Sequence, residues 1–159
     1  RRSSDLSINL QKVCNEVLEI IKPTLQSKRI VLLQQYESNP IVYGDSVQLQ
    51  QVLINLFNNA IDSINESNPN IREILITIAN NEYYATLSVN DSGLGIDPVV
   101  FESLFELYKT SKPSGLGVGL WLSKTIIERH QGKITASNHA RGGACFEIQI
   151  PLYESAVVK

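Results

Sequence analysis

The segment DSVQLQQVLINLFNNAIDSIN, residues 45–65, constrains the fold more than any other part of this sequence. It contains no glycine or proline, and Asp45 or Ser46 is a suitable N-cap, so the segment predicts a single helix. At helical spacing its apolar residues fall on one broad face, as expected of a helix packed against a core. These residues are Leu49, Val52, Leu53, Leu56, Phe57, Ala60, Ile61 and Ile64.

The opposite face of this helix carries amides where a solvated face usually carries Lys and Glu. Asn55 and Asn59 lie one turn apart and point the same way. An amide oxygen suits Mg2+ without closing its coordination shell, so this pair is a candidate metal site. A polar face whose amides bond water explains the pattern equally well, and the helix alone leaves both interpretations open. The polar residues are Gln48, Gln51, Asn55, Asn58, Asn59 and Asp62.

Composition limits the class of protein. The chain has 159 residues, 43% apolar and 19% charged, which predicts one globular domain. Its net charge of −2 argues against a broadly electrostatic binder of nucleic acid or membranes. Cys14 and Cys145 lie far apart without a CxxC motif, so neither a disulfide scaffold nor a zinc site is expected. No signal peptide or membrane-spanning run is visible, and because the first residue is Arg we expect a piece of a longer chain.

Hydrophobic periodicity predicts an α/β domain. Helices are expected over residues 5–27, 45–65 and 118–130, with a short helical piece near 98–107. Pro23 should bend or end the first helix. Strands are expected over residues 29–36, 41–43, 74–79, 83–89, 133–137 and 144–150. The long Gly-rich connection over residues 91–119 is typical of a functional or mobile loop.

The first chemical feature of this connection is DSGLG, residues 91–95. Strand parity places Leu87, Val89 and Asp91 on one face, so the Asp91 carboxylate should point into an apolar cavity. A carboxylate there is costly unless it accepts hydrogen bonds, and the exocyclic amine of a purine is a suitable donor. Gly93 and Gly95 permit a sharp turn close to a ligand. A simple Asp-Gly turn is the alternative interpretation.

The second feature is a run of alternating glycines, Gly115, Gly117 and Gly119, that leads into a helix. Uncovered backbone N–H groups at a helix start, together with the helix dipole, form an anion site. Lys109 and Lys112 lie just upstream and could reach phosphates. A flexible surface loop explains this run as well, and its spacing fits neither standard phosphate-binding loop.

Taken together, these motifs resemble the N, G1, F and G2 boxes of sensor histidine kinases in the GHKL ATP-binding superfamily. The boxes correspond to the Asn-bearing helix, DSGLGI at 91–96, FESLFELYKTSK at 101–112 and SGLGVGL at 114–120. The resemblance implies a two-layer α/β sandwich, the Bergerat fold, in which about three helices cover one face of a mixed sheet beneath a mobile ATP lid. It also implies a single catalytic ATP-binding domain over residues 1–159, with residues 1–10 forming the end of a linker from a dimerisation domain.

The resemblance implies ATP and Mg2+ as cofactors and assigns roles to individual residues. Asn59 matches the Mg2+ ligand, with Asn55 as its helper. Asp91 matches the carboxylate that reads the adenine amine, and Lys112 matches a catalytic lid residue near the phosphates. Phe101 and Phe105 match the F box. Nucleotide contacts are expected from Asp91, Gly93, Gly95, Ile96, Phe105, Lys109, Thr110, Gly115, Leu116, Gly117, Val118, Gly119 and Leu120.

Two positions depart from the family pattern. Many members have a Thr near the start of the last strand, where this chain has Ala144 and Cys145. Cys is a weak donor, so adenine recognition should depend more on Asp91. Some members have a Lys near the phosphates, where this chain has Asp62. The lid lysines should then carry more of the phosphate neutralisation.

The acceptor histidine that the resemblance implies is expected in another part of the parent chain. His130 lies at a helix end and His139 in a loop, and both are expected to be packing or surface residues. The implied reaction is transfer of the γ-phosphate of Mg-ATP to a histidine on a helical hairpin of the parent chain, which dimerises. A downstream response regulator is the next partner, and neither nucleic acid nor membrane contact is expected.

Other functions within the superfamily remain open. Hydrolysing ATPases carry a Glu one turn before the metal Asn to activate water, and this chain has Asn55 there, whose amide is no general base. A nucleotide-binding regulatory module or an ATPase without histidine kinase activity is the alternative. We expect the domain in the cytoplasm, where ATP is, whether or not the parent chain is anchored in the inner membrane.

Overall fold

The computed structural model describes residues 6–107, 118–140 and 142–158, and this part of the chain has α/β architecture. Its strands are β1 Ser7–Asn9, β2 Val31–Tyr36, β3 Ile41–Tyr43, β4 Glu73–Asn80, β5 Tyr84–Asp91, β6 Lys133–Asn138 and β7 Ala144–Pro151. Its helices are α1 Leu10–Ser27, α2 Ser46–Ser67, α3 Gly119–Arg129 and α4 Tyr153–Val158, with a 3-10 helix at Pro98–Ser103. Among the described helices none is long and apolar enough to cross a bilayer.

Five strands form a mixed sheet in the order β2-β4-β5-β7-β6. The β2–β4 pair is parallel, and the other three pairs are antiparallel. β1 and β3 form a separate two-stranded sheet, in which Ser7 pairs with Tyr43. The backbone N–H of Gly44 also donates to the carbonyl of Leu6 at 3.1 Å. The start of the described chain is therefore bonded to the residues that precede α2.

One face of the five-stranded sheet is buried beneath α1, α2 and α3. Alternate residues of the central strands face these helices, because side chains of a strand alternate between its two faces. The buried set includes Ile74, Ile76 and Ile78 of β4, Leu87 and Val89 of β5, and Phe146, Ile148 and Ile150 of β7. The two-layer sandwich and its mixed sheet are confirmed.

The predicted central helix is confirmed as α2. Asp45 is its N-cap, and its carboxylate accepts from the backbone N–H of Gln48 at 3.0 Å. Asn68 ends the helix in the left-handed conformation, with φ of 45°, which Asn tolerates better than most residues. All eight apolar residues named for the inner face are buried. Because that face packs on the sheet, the amide face is directed away from the core.

Three local features of the structure differ from what the sequence predicted. The first helix begins at Leu10 rather than residue 5, and Ser7–Asn9 form a strand of the folded domain rather than part of a linker. Pro23 lies inside α1 without ending it. The buried residues Ile21 and Leu25 hold both sides of Pro23 on the core, and such packing outweighs local propensity. The terminal helix α4 carried no periodic signal, since its six residues are too few.

Arg72 joins the C-terminal ends of α1 and α2. Its Nε and Nη2 donate to the carbonyl of Lys28, the C-cap of α1, at 3.1 and 2.9 Å. Nη1 and Nη2 also donate to the amide oxygens of Asn68 and Asn65, at 2.8 and 2.9 Å. A cation at two helix C-termini is favourable, because the helix dipoles place partial negative charge there.

Replacement of Arg72 by Ala should therefore lower the free energy of unfolding by about 1–3 kcal/mol, since four hydrogen bonds to a charged group are lost from a partly exposed site. Urea denaturation measures this change. The exposed Arg129 is the control, because Arg129→Ala removes the same charge and should cost only about 0.5 kcal/mol. Equal losses in the two variants would contradict a joining role for Arg72.

Candidate functional site

The Asp91 carboxylate lies at the end of β5 and is nearly fully buried, with 6% of the residue exposed. Its Oδ1 accepts from the backbone N–H groups of Gly93 at 2.8 Å and Ala144 at 3.2 Å. The Ser63 hydroxyl of α2 lies 3.5 Å from the same oxygen. Burial raises the pKa of Asp91 above its ordinary value of 3.8, and these hydrogen bonds oppose the rise.

The second oxygen of this carboxylate, Oδ2, accepts no hydrogen bond within the described residues. All bonds that orient the Asp91 side chain are made to Oδ1 from the surrounding loops and from α2. Oδ2 is thus a fixed acceptor whose bonding capacity remains for a donor on a ligand. The strand parity that placed this side chain on the core face is confirmed by the alternating burial of β5.

Two glycines allow the chain to close around Asp91. A Cβ on Gly93 would lie 2.1 Å from Ser63 Oγ, so this loop packs directly against α2. Gly143 has φ of +85°, and a Cβ there would lie 1.8 Å from the carbonyl oxygen of Asp91. Sequence reasoning assigned no role to Gly143, although the GG pair before β7 was a signal for such a turn. This approach lets Ala144 N–H reach the carboxylate.

Asn138 fixes the turn that follows Asp91. Its Oδ1 accepts from the backbone N–H of Ile96 at 2.7 Å, and its Nδ2 donates to the carbonyl of Ile96 at 2.9 Å. Gly95 precedes this pair with φ of +93°, and a Cβ there would approach Asn138 Oδ1 to 2.8 Å. Sequence reasoning also missed Asn138, because it lies at the end of β6, far along the chain from its partner.

The amide face of α2 meets the first turn of α3. Asn55 Nδ2 donates to the carbonyl of Gly119 and to Ser123 Oγ, both at 3.2 Å. Asn59 is half-buried one turn further along the same face. The structure therefore brings Asn55 together with Gly119, the last glycine of the predicted anion loop, and places Asn59 one turn away on the same helix.

The predicted F-box residues lie near the free edge of the sheet. The ring of Phe105 packs edge-on against Phe146 of β7, with centroids 6.3 Å apart and planes at 82°. Phe101, Leu104 and Phe105 line a groove of about 580 Å³ together with residues 134–138 of β6. These aromatic residues thus position the chain between DSGLGI and the predicted lid.

Several predicted site residues lie outside the described part of the chain. They are Lys109, Thr110, Lys112, Gly115, Leu116 and Gly117. Val118, Gly119 and Leu120 are described, at the start of α3. The roles predicted for the loop from Lys109 to Gly117 stay predictions.

His130 is part of the packing between α3 and α2. Its Nε2 accepts from the backbone N–H of Asp45 at 3.1 Å, and its Nδ1 lies 2.8 Å from the carbonyl of Ile126. A Cβ on Gly44 would lie 2.4 Å from the His130 ring, so glycine is required at that position. Both ring nitrogens are thus bonded to backbone groups, which agrees with the packing role expected from the sequence.

The donor set available for a metal consists of amides. Within residues 6–107, 118–140 and 142–158, no group of three His, Cys, Asp or Glu residues could hold an ion. A metal at Asn55 and Asn59 would therefore need most of its ligands from water and from a bound ligand. Such partial coordination is typical of Mg2+ held through substrate phosphates.

Comparison with known proteins places this geometry in a family. A family model described as histidine kinase-, DNA gyrase B-, and HSP90-like ATPase matches residues 44–154. Sporulation kinase A of Bacillus subtilis (strain 168) is 34% identical over 145 residues, which are 91% of this chain and 23% of that protein. Sensor protein FixL of Bradyrhizobium diazoefficiens is 39% identical over 112 residues, 70% of this chain and 22% of that protein. The chain spans less than a quarter of the length of these two relatives.

A solved catalytic domain of histidine kinase ThkA (TM1359) superposes with a TM-score of 0.84 and 30% identity, covering 95% of this chain and 98% of that one. ThkA has also been solved in complex with response regulator protein TrrA, and that kinase chain matches with a TM-score of 0.78 and 28% identity, over 92% of this chain and 41% of its own. This chain therefore belongs to the histidine kinase-, DNA gyrase B- and HSP90-like ATPases, and its fold is that of a histidine kinase catalytic domain.

Proposed function

We propose that this domain binds Mg-ATP and transfers the γ-phosphate to a histidine on a separate helical hairpin of its parent chain. The observation that supports this proposal best is the Asp91 carboxylate, buried and bonded through one oxygen while the other faces no protein donor in the described residues. A regulatory nucleotide-binding module, or an ATPase without kinase activity, is the alternative.

The hydrogen-bonding arrangement of Asp91 fits adenine. The exocyclic amine of adenine is a donor, and Oδ2 is an acceptor whose position is fixed by the bonds to Oδ1. Guanine has a carbonyl oxygen at the equivalent ring position. That oxygen is also an acceptor, so the carboxylate would repel it. Purine selectivity therefore follows from one carboxylate, and the desolvation cost of Asp91 is offset when a donor binds.

The asparagine face of α2 fits a magnesium ion that is carried by phosphates. Asn59 and Asn55 would supply neutral oxygens, and the ion would supply charge neutralisation for the transferring phosphoryl group. The backbone N–H groups before α3 and the lid lysines would bind and orient the remaining phosphate oxygens. The hydrogen bond from Asn55 Nδ2 to the carbonyl of Gly119 supports this arrangement, because it joins the asparagine face of α2 to the start of α3.

The chain itself needs no general base for this reaction. The nucleophile is a neutral imidazole nitrogen supplied by the hairpin, and its proton leaves to an acidic neighbour in that hairpin. What the domain must do is hold the phosphate in line and exclude competing water. An amide at position 55 cannot activate water, which favours transfer over hydrolysis.

The partners follow from this reaction. We propose that the hairpin belongs to the dimerisation region of the parent chain, and that the phosphoryl group then passes to a response regulator. The complex of ThkA with TrrA supports such a partner by analogy. Neither nucleic acid nor membrane contact is proposed for this domain, and the cytoplasm, with its ATP, is the proposed location.

Replacement of Asp91 by Asn should weaken ATP binding by about tenfold or more, because the amine of adenine loses a charged acceptor. The same change should maintain or raise stability near neutral pH. Because the folded pKa of Asp91 is raised, wild-type stability falls as pH increases through that pKa, and the Asn variant lacks this fall. Calorimetry of ATP binding and melting temperatures across pH measure both effects.

The exposed Asp97 provides the control for this prediction, since Asp97→Asn removes one carboxylate and retains an N-capping side chain. It should leave the ATP affinity unchanged. If Asp91→Asn reduced the binding of ATP and of a GTP analogue equally, the adenine-reading role would be rejected.

Replacement of Asn59 by Ala should remove the gain in ATP affinity that Mg2+ provides, because the proposed ligand oxygen is lost. Titration calorimetry with and without Mg2+ measures this gain. Asn58→Ala is the matched control, since Asn58 is the adjacent residue and its side chain is exposed. Unchanged Mg2+ dependence in Asn59→Ala would refute the ligand role.

The chain should phosphorylate a histidine-bearing helical hairpin supplied as a separate polypeptide, and should not label itself. Radiolabelled ATP followed by acid- and base-stability tests identifies phosphohistidine on the hairpin. Because both nitrogens of His130 are bonded to backbone groups, that ring has no free nucleophile. Stable label on His130 or His139 would overturn the assignment of the acceptor to another domain.

A further inference from the structure

The amide of Asn55 is held in one orientation by α3. Its Nδ2 has two acceptors on that helix, the carbonyl of Gly119 and the hydroxyl of Ser123, each at 3.2 Å. A carbonyl can only accept, so the group that faces Gly119 must be the NH2 and not the oxygen. The two ends of an amide lie on opposite sides of its carbon, and a fixed NH2 therefore fixes Oδ1.

The fixed Oδ1 is available to a ligand. Within the described residues its one hydrogen bond comes from Gln51 Nε2 at 3.4 Å, a long contact from an exposed side chain. The same oxygen lies 3.9 Å from the position of a Cβ on Gly119, at the start of α3. Its orientation therefore places a lone pair near the first residue of α3.

Ser123 is the side chain that completes this arrangement. It is fully buried, with 0% exposure, and Asp91 is the only other polar side chain among the buried residues described. With Gly119 alone, one of the two N–H groups of the Asn55 amide would lack its acceptor. Because the χ2 torsion of Asn is broad, the single bond to Gly119 sets which end of the amide faces α3 but leaves its plane able to swing, and the second bond, to Ser123, restricts the direction of Oδ1.

We propose that Ser123 is a positioning residue for the proposed metal site: together with the Gly119 carbonyl it holds the amide of Asn55 in the direction in which Oδ1 would be available to a magnesium ion. This inference rests on the proposed function. It would link the proposed metal ligand Asn55 to the first turn of α3, which follows the glycine loop in the sequence.

Ser123→Ala tests this role in the 159-residue chain. The ATP affinity should be measured by calorimetry over a series of Mg2+ concentrations and in EDTA. The variant should require about three- to tenfold more Mg2+ for half of the Mg2+-dependent gain, the effect of one lost hydrogen bond. Affinity for ATP in EDTA should stay unchanged. Thr125→Ala is the matched control, because that hydroxyl lies on the same helix and bonds only to the carbonyl of Trp121.

A double-mutant cycle separates positioning from general stabilisation. Ser123 acts through Asn55, so Ser123→Ala should have no further effect on the Mg2+ requirement in an Asn55→Ala background. An equal effect in both backgrounds would overturn the proposal. So would a Ser123→Ala variant that melts at a lower temperature while its Mg2+ requirement is that of the wild type.

Asn55→Asp provides an independent test if Ser123→Ala fails to fold. A carboxylate is the stronger magnesium ligand but cannot donate to Gly119, so the Mg2+ requirement should rise; a lower requirement contradicts the proposal. Failure of the proposed function can be told apart from failure of this inference. A wild-type chain without Mg2+-dependent ATP binding would refute the proposed function. A normal wild type with normal Ser123→Ala and Asn55→Asp variants refutes this inference alone.

Discussion

The packing of α2 against the sheet determines where the functional groups of this domain lie. Eight buried apolar side chains hold one face of the helix in the core, where α2 contacts β5 of the sheet, and the larger of them each contribute on the order of 1–3 kcal/mol. The opposite face must then carry its asparagines toward α3. Ser63, on the same helix, contacts Asp91 at the end of β5. The proposed metal site and the proposed adenine site are thus both positioned by one helix.

The sequence predicted most of this arrangement, because hydrophobic periodicity reports burial directly. Helical spacing of the apolar residues predicted the two faces of α2. Alternation of apolar residues predicted that β5 ends at Asp91, with that side chain on the core face. Gly143 and Asn138 were missed because their partners, Asp91 and Ile96, lie more than forty residues away in the chain. Contacts of this kind depend on sheet order, in which β5, β7 and β6 are neighbours, and no local pattern contains that order.

Two polar side chains of the proposed site each combine a structural bond with a proposed ligand role. Asp91 bonds the protein through Oδ1, and Oδ2 is the proposed acceptor for the nucleotide. Asn55 bonds α3 through Nδ2, and Oδ1 is the proposed metal ligand. Sequence reasoning could assign a ligand role to each residue but could not reveal the structural bond. That bond is what converts a flexible side chain into a group of fixed direction.

The β1–β3 pairing has a mechanical consequence. Ser7 pairs with Tyr43 and the carbonyl of Leu6 accepts from Gly44, one residue before the N-cap of α2. His130 bonds that same N-cap from α3. A force that pulls on the chain before Ser7 would therefore act directly on these hydrogen bonds. Through them it would reach the first turn of α2, the helix that carries the asparagines.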